Sequence, residues 1–215
     1  MTGSERQVVG SPIRHLLFDA DGVLQDIPDG WYAAMEPYVG DRAREFLHKT
    51  WKDELPTLAG RGDYLPMLAA SLAEYGVLTP TAVVFQDVWH RIAPVEESFA
   101  IVETLRRNGY GVHLGTNQER HRGGHMRAAL GYDLLFDVSC YSYDLGVAKP
   151  DPGFFTEAAR RIAADPSAIL FIDDSAANIE GARSAGFAAD RASRSGVGVA
   201  GFCGGGRTRR AGRLG

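Results

Sequence analysis

Ile13-Arg14-His15-Leu16-Leu17-Phe18-Asp19-Ala20-Asp21-Gly22-Val23-Leu24 is the stretch on which the reading of this chain turns. A short apolar run, residues 13–18, stops on a carboxylate. A second carboxylate follows two residues later, just before a glycine that lets the chain turn. Runs of this length bounded by turn residues read as buried strands. Two more repeat the pattern: residues 112–114 lead into Thr116, and residues 168–172 stop at Asp173. Helical periodicity occupies residues 97–108 with Gly109 as a stop, residues 153–164, and residues 176–185 with Gly186 as a stop. Strands alternating with helices predict an α/β fold, a parallel sheet covered by helices on both faces. Ligands bind beyond the carboxyl ends of such strands, so Asp19, Thr116 and Asp173 are predicted to share one rim.

Residues 25–95 show no comparable strand signal and read as helical. Asp63 can cap a helix that places Leu65, Leu68, Ala69 and Leu72 on one face and ends at Gly76, and Thr79-Pro80 can start another through His90. A helical insert placed just after an active-site strand is predicted to be a cap over the rim. Residues 1–24 and 96–190 then form the α/β core, with residues 187–189 a candidate last short strand.

The chain has 215 residues and a formal net charge of −4, with 45% hydrophobic and 23% charged residues, which excludes a wholly disordered or collagen-like polypeptide. That mild charge hides an asymmetry. Residues 1–190 carry 17 basic and 27 acidic side chains, whereas residues 191–215 hold six arginines, eight glycines and no acid. Residues 191–215 are therefore expected to be an unstructured Gly/Arg-rich tail, with too few charges and too little aromatic interleaving to predict nucleic-acid binding. Cys140 and Cys203 have neither zinc-ligand spacing nor the number for a disulfide framework. No signal peptide or membrane span is read from the apolar runs, and a reducing, cytoplasmic setting is expected.

Two carboxylates at one strand end and the pair Asp173-Asp174 at another form a four-acid crevice if the strands are neighbours. Like charges about 4 Å apart repel by roughly 4 kcal/mol per pair at an effective dielectric near 20, so the crevice calls for a cation. Oxygen-only ligands favour Mg²⁺ over zinc, with Lys149 as a second positive charge.

In their order along the chain, Asp19-Ala20-Asp21-Gly22-Val23-Leu24, Thr116 of Leu114-Gly115-Thr116-Asn117, Lys149 of Val147-Ala148-Lys149-Pro150 and Asp173-Asp174 of Phe171-Ile172-Asp173-Asp174-Ser175 match four motifs. On these, the chain resembles the haloacid dehalogenase superfamily over residues 13–187. The resemblance implies a Rossmann-like core with a small all-helical cap between the first and second motifs. The runs Thr116-Asn117-Gln118-Glu119-Arg120 and Ser142-Tyr143-Asp144-Leu145-Gly146 look closest to glucose-1-phosphatase-type enzymes and to the N-terminal phosphatase domain of soluble epoxide hydrolases.

By that resemblance Asp19 is the nucleophile and Asp21 the acid and base. Thr116, Asn117 and Lys149 hold the phosphoryl oxygens. Asp19, Asp174 and the Asp21 backbone carbonyl hold Mg²⁺, with Asp173 acting through water. A small phosphate ester is the implied substrate, and dehalogenases of the superfamily typically lack the counterpart of Asp21. A phosphomutase, a dehalogenase and a catalytically silent binding protein on the same fold stand as alternatives, and no oligomeric state follows. Trp31, Tyr32 and Arg120 are candidates for lining the substrate pocket. His121 and His125 share a helical face and are expected to be solvated, His15 and His113 to be packing positions, and His48 and His90 to lie on the cap surface.

Overall fold

The computed structural model describes residues 12–192. Alternation along the first strand, β1 (His15–Phe18), decides the layering. Leu16 and Phe18 point into one apolar cluster with Val112, Leu114, Leu170 and Ile172, while Leu17 points into the other with Cys140, Ile169 and Phe171. A strand buried on both faces requires cover on both. Fully burying each of these side chains contributes about 1.5–3 kcal/mol.

The chain leaves β1 through a two-residue strand, β2 (Gln25–Asp26), into four helices: α1 (Gly30–Val39), α2 (Ala43–Leu58), α3 (Tyr64–Glu74) and α4 (Thr81–Trp89). It returns through β3 (Ala93–Pro94), which pairs antiparallel with β2, Gln25 opposite Pro94 and Asp26 opposite Ala93. The helices bury their own cluster, including Met35, Phe46, Leu47, Leu68, Leu72, Val84 and Trp89, apart from the two sheet clusters. The cap is therefore a small helical unit on a two-stranded stem. Its third helix starts as the sequence predicts: the Asp63 carboxylate accepts a hydrogen bond from the Leu65 amide at 3.0 Å, and Gly76 past its end takes φ +74°.

The remainder builds the core: α5 (Glu96–Arg107), β4 (Gly111–Thr116), α6 (Arg120–Ala128), α7 (Tyr132–Leu135), β5 (Val138–Tyr141), α8 (Ser142–Leu145), α9 (Pro152–Ile162), β6 (Ile169–Asp173), α10 (Ala176–Ser184) and β7 (Ala188–Arg191). The five core strands are all parallel in the order β5-β4-β1-β6-β7. Helices α5, α6 and α7 cover one face, and α9 and α10 the other. The predicted α/β sheet with a helical cap is what the chain forms.

The strand order reverses at β1, which lies between β4 and β6, so the carboxyl ends of these three strands open onto a topological switch point. One expectation is corrected at the sheet edge. Arg191 belongs to β7, paired with Asp173, and is strand and not tail; just past the strand end, the Ala192 amide still donates to the Asp173 carbonyl at 3.0 Å. Ladder pairing needs no apolar side chains, and for that reason the composition change after Asp190 did not mark the strand end. The tail from 193 lies outside the described residues.

Candidate active site

β1 and β6 run side by side with Phe18 level with Ile172, so Asp19 and Asp173 emerge next to each other. Lys149 comes from the loop between α8 and α9, and its ammonium sits 2.8 Å from Asp19 Oδ1 and 2.7 Å from Asp173 Oδ2, with its side chain 1% exposed. Burial works against the charge on Lys149, but the two carboxylates overcome it and hold its pKa above the usual value. The loop itself is held by Asn117, whose side chain donates to the Lys149 carbonyl and accepts from the Lys149 amide, both at 2.9 Å. On the other side α10 comes so close that a Cβ on Gly181 would lie 2.2 Å from the Pro150 carbonyl oxygen.

Asp173 is fully engaged by protein donors. Besides Lys149 it accepts from the Ser175 amide at 2.7 Å and from Asn178 Nδ2 at 3.0 and 3.1 Å. Its neighbour Asp174 faces outward beneath Gly22, where the chain takes φ +78°. A Cβ there would stand 2.6 Å from Asp174 Oδ2, so only glycine lets the first loop pass over this carboxylate.

Carboxylate oxygens of Asp19, Asp173 and Asp174 lie within 4.8 Å of one another. Three acids against one ammonium leave an excess of negative charge. Burial, the largest cause, together with Asp173 pushes the Asp19 carboxyl up to about 7, although Lys149 pulls the other way. Asp174 is raised as well, by burial and then by Asp173. A set of hard oxygen donors with surplus negative charge and two members, Asp19 and Asp174, on the cavity wall fits a divalent cation of the Mg²⁺ type. The Asp21 side chain lies apart from this cluster.

Asp21 instead meets Arg122. The guanidinium bonds both carboxylate oxygens, Nη1 to Oδ2 at 2.6 Å and Nη2 to Oδ1 at 2.7 Å. Gln25 and Gln118 each add an amide donor at 2.8 Å. Burial alone would raise the Asp21 pKa, but the Arg122 charge and these hydrogen bonds outweigh it and hold the carboxyl below its usual range. Gln25 is held in turn by the Tyr132 hydroxyl at 2.7 Å. Gln118 also donates to Thr116 Oγ1 at 3.1 Å, which places Thr116 in the same network at the end of β4, itself only 1% exposed.

Of the site residues, Asp19, Asp21, Asn117, Lys149 and Asp174 line a cavity of about 840 Å³ together with Trp31, whereas Thr116 and Arg122 stand behind its wall. Tyr32 is elsewhere, with its hydroxyl 3.1 Å from His48 Nε2 and its ring tilted against His48 and Trp51. Arg120 is exposed at the start of α6. The cation that reaches the site is Arg122, two positions on, and a two-residue step turns a helix by about 200°.

The residues that sequence reasoning passed over are Gln25, Gln118, Arg122 and Asn178. The available signal was position: each of the first three follows a motif carboxylate or Thr116 by two to six residues.

The histidine pair is also corrected. His121 Nε2 lies 2.7 Å from Asp63 Oδ1 at the start of α3. His125 stacks on His90 with centroids 3.9 Å apart, so all three lie where cap meets core. His15 and His113 are packed together as expected, Nδ1 to Nε2 at 3.1 Å.

Among known proteins, a phosphatase of Mycobacterium tuberculosis is 28% identical over 86% of this chain and 89% of its own length. An (S)-2-haloacid dehalogenase of a Pseudomonas species is 27% identical over 85% of this chain and 86% of its own. Among solved structures, a HAD family enzyme of Bacteroides thetaiotaomicron, in complex with magnesium and inorganic phosphate, superposes with a TM-score of 0.69 at 20% identity, covering 85% of this chain and 95% of the other. The family model for haloacid dehalogenase-like hydrolases matches residues 13–186, and the chain belongs to that family.

Proposed function

We propose that this protein is a Mg²⁺-dependent phosphatase of small phosphate monoesters. The observation that carries the reading is Asp21, a second carboxylate held on the cavity wall two residues from Asp19. Displacing halide from carbon needs neither a proton donor for the departing group nor a dication, so Asp21 and the acidic cluster would be idle in a dehalogenase. In a phosphatase both have work. The Bacteroides relative with magnesium and phosphate supports the same choice.

An Asp19 carboxylate oxygen attacks phosphorus, the bond to the ester oxygen breaks, and that oxygen takes a proton from Asp21, which carries one only once the Gln25 or Gln118 amide has given up its place on the carboxylate. Water then attacks the phosphoryl group on Asp19, gives its proton to Asp21, and inorganic phosphate departs. Lys149, Thr116 and Asn117 hold the equatorial phosphoryl oxygens, where charge accumulates. Asp19 and Asp174, with the Asp21 backbone carbonyl and with Asp173 acting through water, would hold Mg²⁺, which would supply the charge that lets a carboxylate approach an anionic ester.

Residues 1–24 and 96–190 act as the catalytic core in this reading, and residues 25–95 as the cap that selects the leaving group, with Trp31 the cap ring at the cavity. The likeness to glucose-1-phosphatase-type enzymes in the runs after Thr116 and Ser142 makes sugar phosphates the first substrates to try. A buried, free Cys140 suits a reducing cytoplasmic setting.

The test is phosphate release across sugar phosphates, nucleotides and other small esters, with Mg²⁺ and with a chelator, alongside halide release from 2-chloropropionate. Phosphate release that requires Mg²⁺ and disappears in Asp19→Asn is expected. Halide release without phosphate release would replace this reading with the dehalogenase.

A further inference from the structure

Arg122 is 3% exposed and has no part in the steps above, yet it makes the closest contacts to Asp21. An ionised carboxylate offers about four acceptor positions. Oδ1 of Asp21 accepts from Gln25 Nε2 at 2.8 Å and Arg122 Nη2 at 2.7 Å, and Oδ2 from Gln118 Nε2 at 2.8 Å and Arg122 Nη1 at 2.6 Å. All four positions are taken. A water that is to give Asp21 its proton must displace one donor. Charge-assisted forks are about twice as strong as neutral contacts, so an amide yields and the guanidinium stays.

Arg122 is itself immobilised from the opposite side. Its Nε donates to the Trp89 carbonyl at the end of α4 at 2.8 Å, and Nη1 donates to Gln118 Oε1 at 2.8 Å. Its guanidinium lies 5.3 Å from the centroid of the Trp31 ring. Trp89 and Trp31 are cap residues, so one planar group is fixed by the cap on one edge and fixes the plane of the Asp21 carboxylate on the other. A lysine could supply the charge but not the plane.

We propose that Arg122 is a positioning residue for the second half-reaction, orienting the Asp21 carboxylate to accept the proton of the hydrolytic water, with the cap holding Arg122 in register. The step balances: the water oxygen bonds to phosphorus, its proton passes to Asp21, and the bond from phosphorus to Asp19 breaks with its electron pair returning to Asp19. The inference rests on the phosphatase reading. It predicts that the two halves of the reaction respond differently to loss of the fork, because a leaving group that departs as a stable anion asks nothing of Asp21 in the first half.

p-Nitrophenyl phosphate provides such a leaving group. With it and Mg²⁺, rapid mixing of Arg122→Ala is expected to release close to one nitrophenolate per enzyme, followed by a slow steady state. The decay of the phosphoenzyme trapped by acid quench should slow roughly 10- to 100-fold, the scale of losing orientation at a reacting group. kcat and KM should fall together, leaving kcat/KM within about threefold of the parent value by the same argument. Guanidinium ion added to Arg122→Ala should restore part of the decay rate.

Arg122→Lys keeps a buried cation and guards against misfolding of the alanine variant; it too should accumulate phosphoenzyme. The proposal is overturned if kcat and kcat/KM fall together without phosphoenzyme accumulation, or if the phosphoenzyme decays at the parent rate in both variants. Asp21→Asn separates the two levels. If it does not slow decay, or if the parent forms no phosphoenzyme at all, the phosphatase reading fails and takes this inference with it. If Asp21→Asn slows decay and the Arg122 variants do not, only the role of Arg122 is lost.

Discussion

Lys149→Met offers a demanding test of how the site is held together. Methionine keeps much of the length of the lysine stem and removes the ammonium. That ammonium lies 2.8 Å from Asp19 Oδ1 and 2.7 Å from Asp173 Oδ2, with 1% of the Lys149 side chain and 0% of the Asp173 side chain exposed. Breaking a buried pair by removing one partner costs about 3–5 kcal/mol, because the other charge stays buried without compensation. Here two carboxylates are left facing each other. For a chain of this size that corresponds to a fall in Tm of roughly 10 °C.

The deficit should depend on pH with a definite sign. Burial pushes the Asp19 carboxyl up to about 7 in the folded protein, against 3.8 for a free aspartate. Between those values the folded state holds a proton that the unfolded chain has released, so the neutral form stabilises at low pH and this contribution is lost as pH rises through about 7. Each pKa unit is about 1.4 kcal/mol. At pH 5.5 Asp19 is protonated, does not repel Asp173, and does not need Lys149. Urea unfolding of both proteins without divalent cations should therefore show the full deficit at pH 8 and a smaller one at pH 5.5. A deficit under about 1 kcal/mol at pH 8, or one that grows on acidification, would refute the reasoning, since a merely weakened surface pair costs that little.

Gly22→Ala should fold yet bind Mg²⁺ more weakly, because the new Cβ would press on Asp174 Oδ2 at 2.6 Å in a backbone conformation that disfavours alanine; calorimetric titration with Mg²⁺ checks it. Gly181→Ala should lower Tm and phosphate release together. Its Cβ would meet the Pro150 carbonyl at 2.2 Å, and relieving that contact separates α10 from the loop that carries Lys149. Asp63→Ala removes both a helix cap and the partner of His121. About 1 kcal/mol of stability is expected to go with the cap, seen as a shift in the urea midpoint at unchanged slope.

The core was legible because its strands are apolar runs that end abruptly on polar residues. Burial on both faces forces that composition, so β1, β4 and β6 and the positions of Asp19, Thr116 and Asp173 follow from the residues alone. Strand β5 was not legible: Val138-Ser139-Cys140-Tyr141 has neither a continuous apolar run nor an alternation, and it owes its place to pairing with β4. Helix α6 was legible as a helix from the spacing of His121 and His125, but its buried face was missed for a different reason. Arg-His-Arg-Gly-Gly-His carries no apolar stripe, since the face it buries holds Arg122, Gly123 and Met126 and is satisfied by Asp21, Gln118 and the Trp89 carbonyl. Reading that segment by charge alone selected the exposed Arg120. The Asp21 network is invisible to motif reasoning for the same reason: its members lie on β2, on the loop after β4 and on α6, and only the tertiary fold brings them together.

The account stands most directly on where the phosphoryl group goes. After a brief reaction of the protein with a phosphate monoester in the presence of Mg²⁺ and an acid quench, peptide mapping by mass spectrometry should find one phosphorylated residue, Asp19, in the parent protein. The same label should persist longer in Asp21→Asn and be absent in Asp19→Asn. A label on any other residue, or phosphate release by Asp19→Asn at the parent rate, would contradict the account.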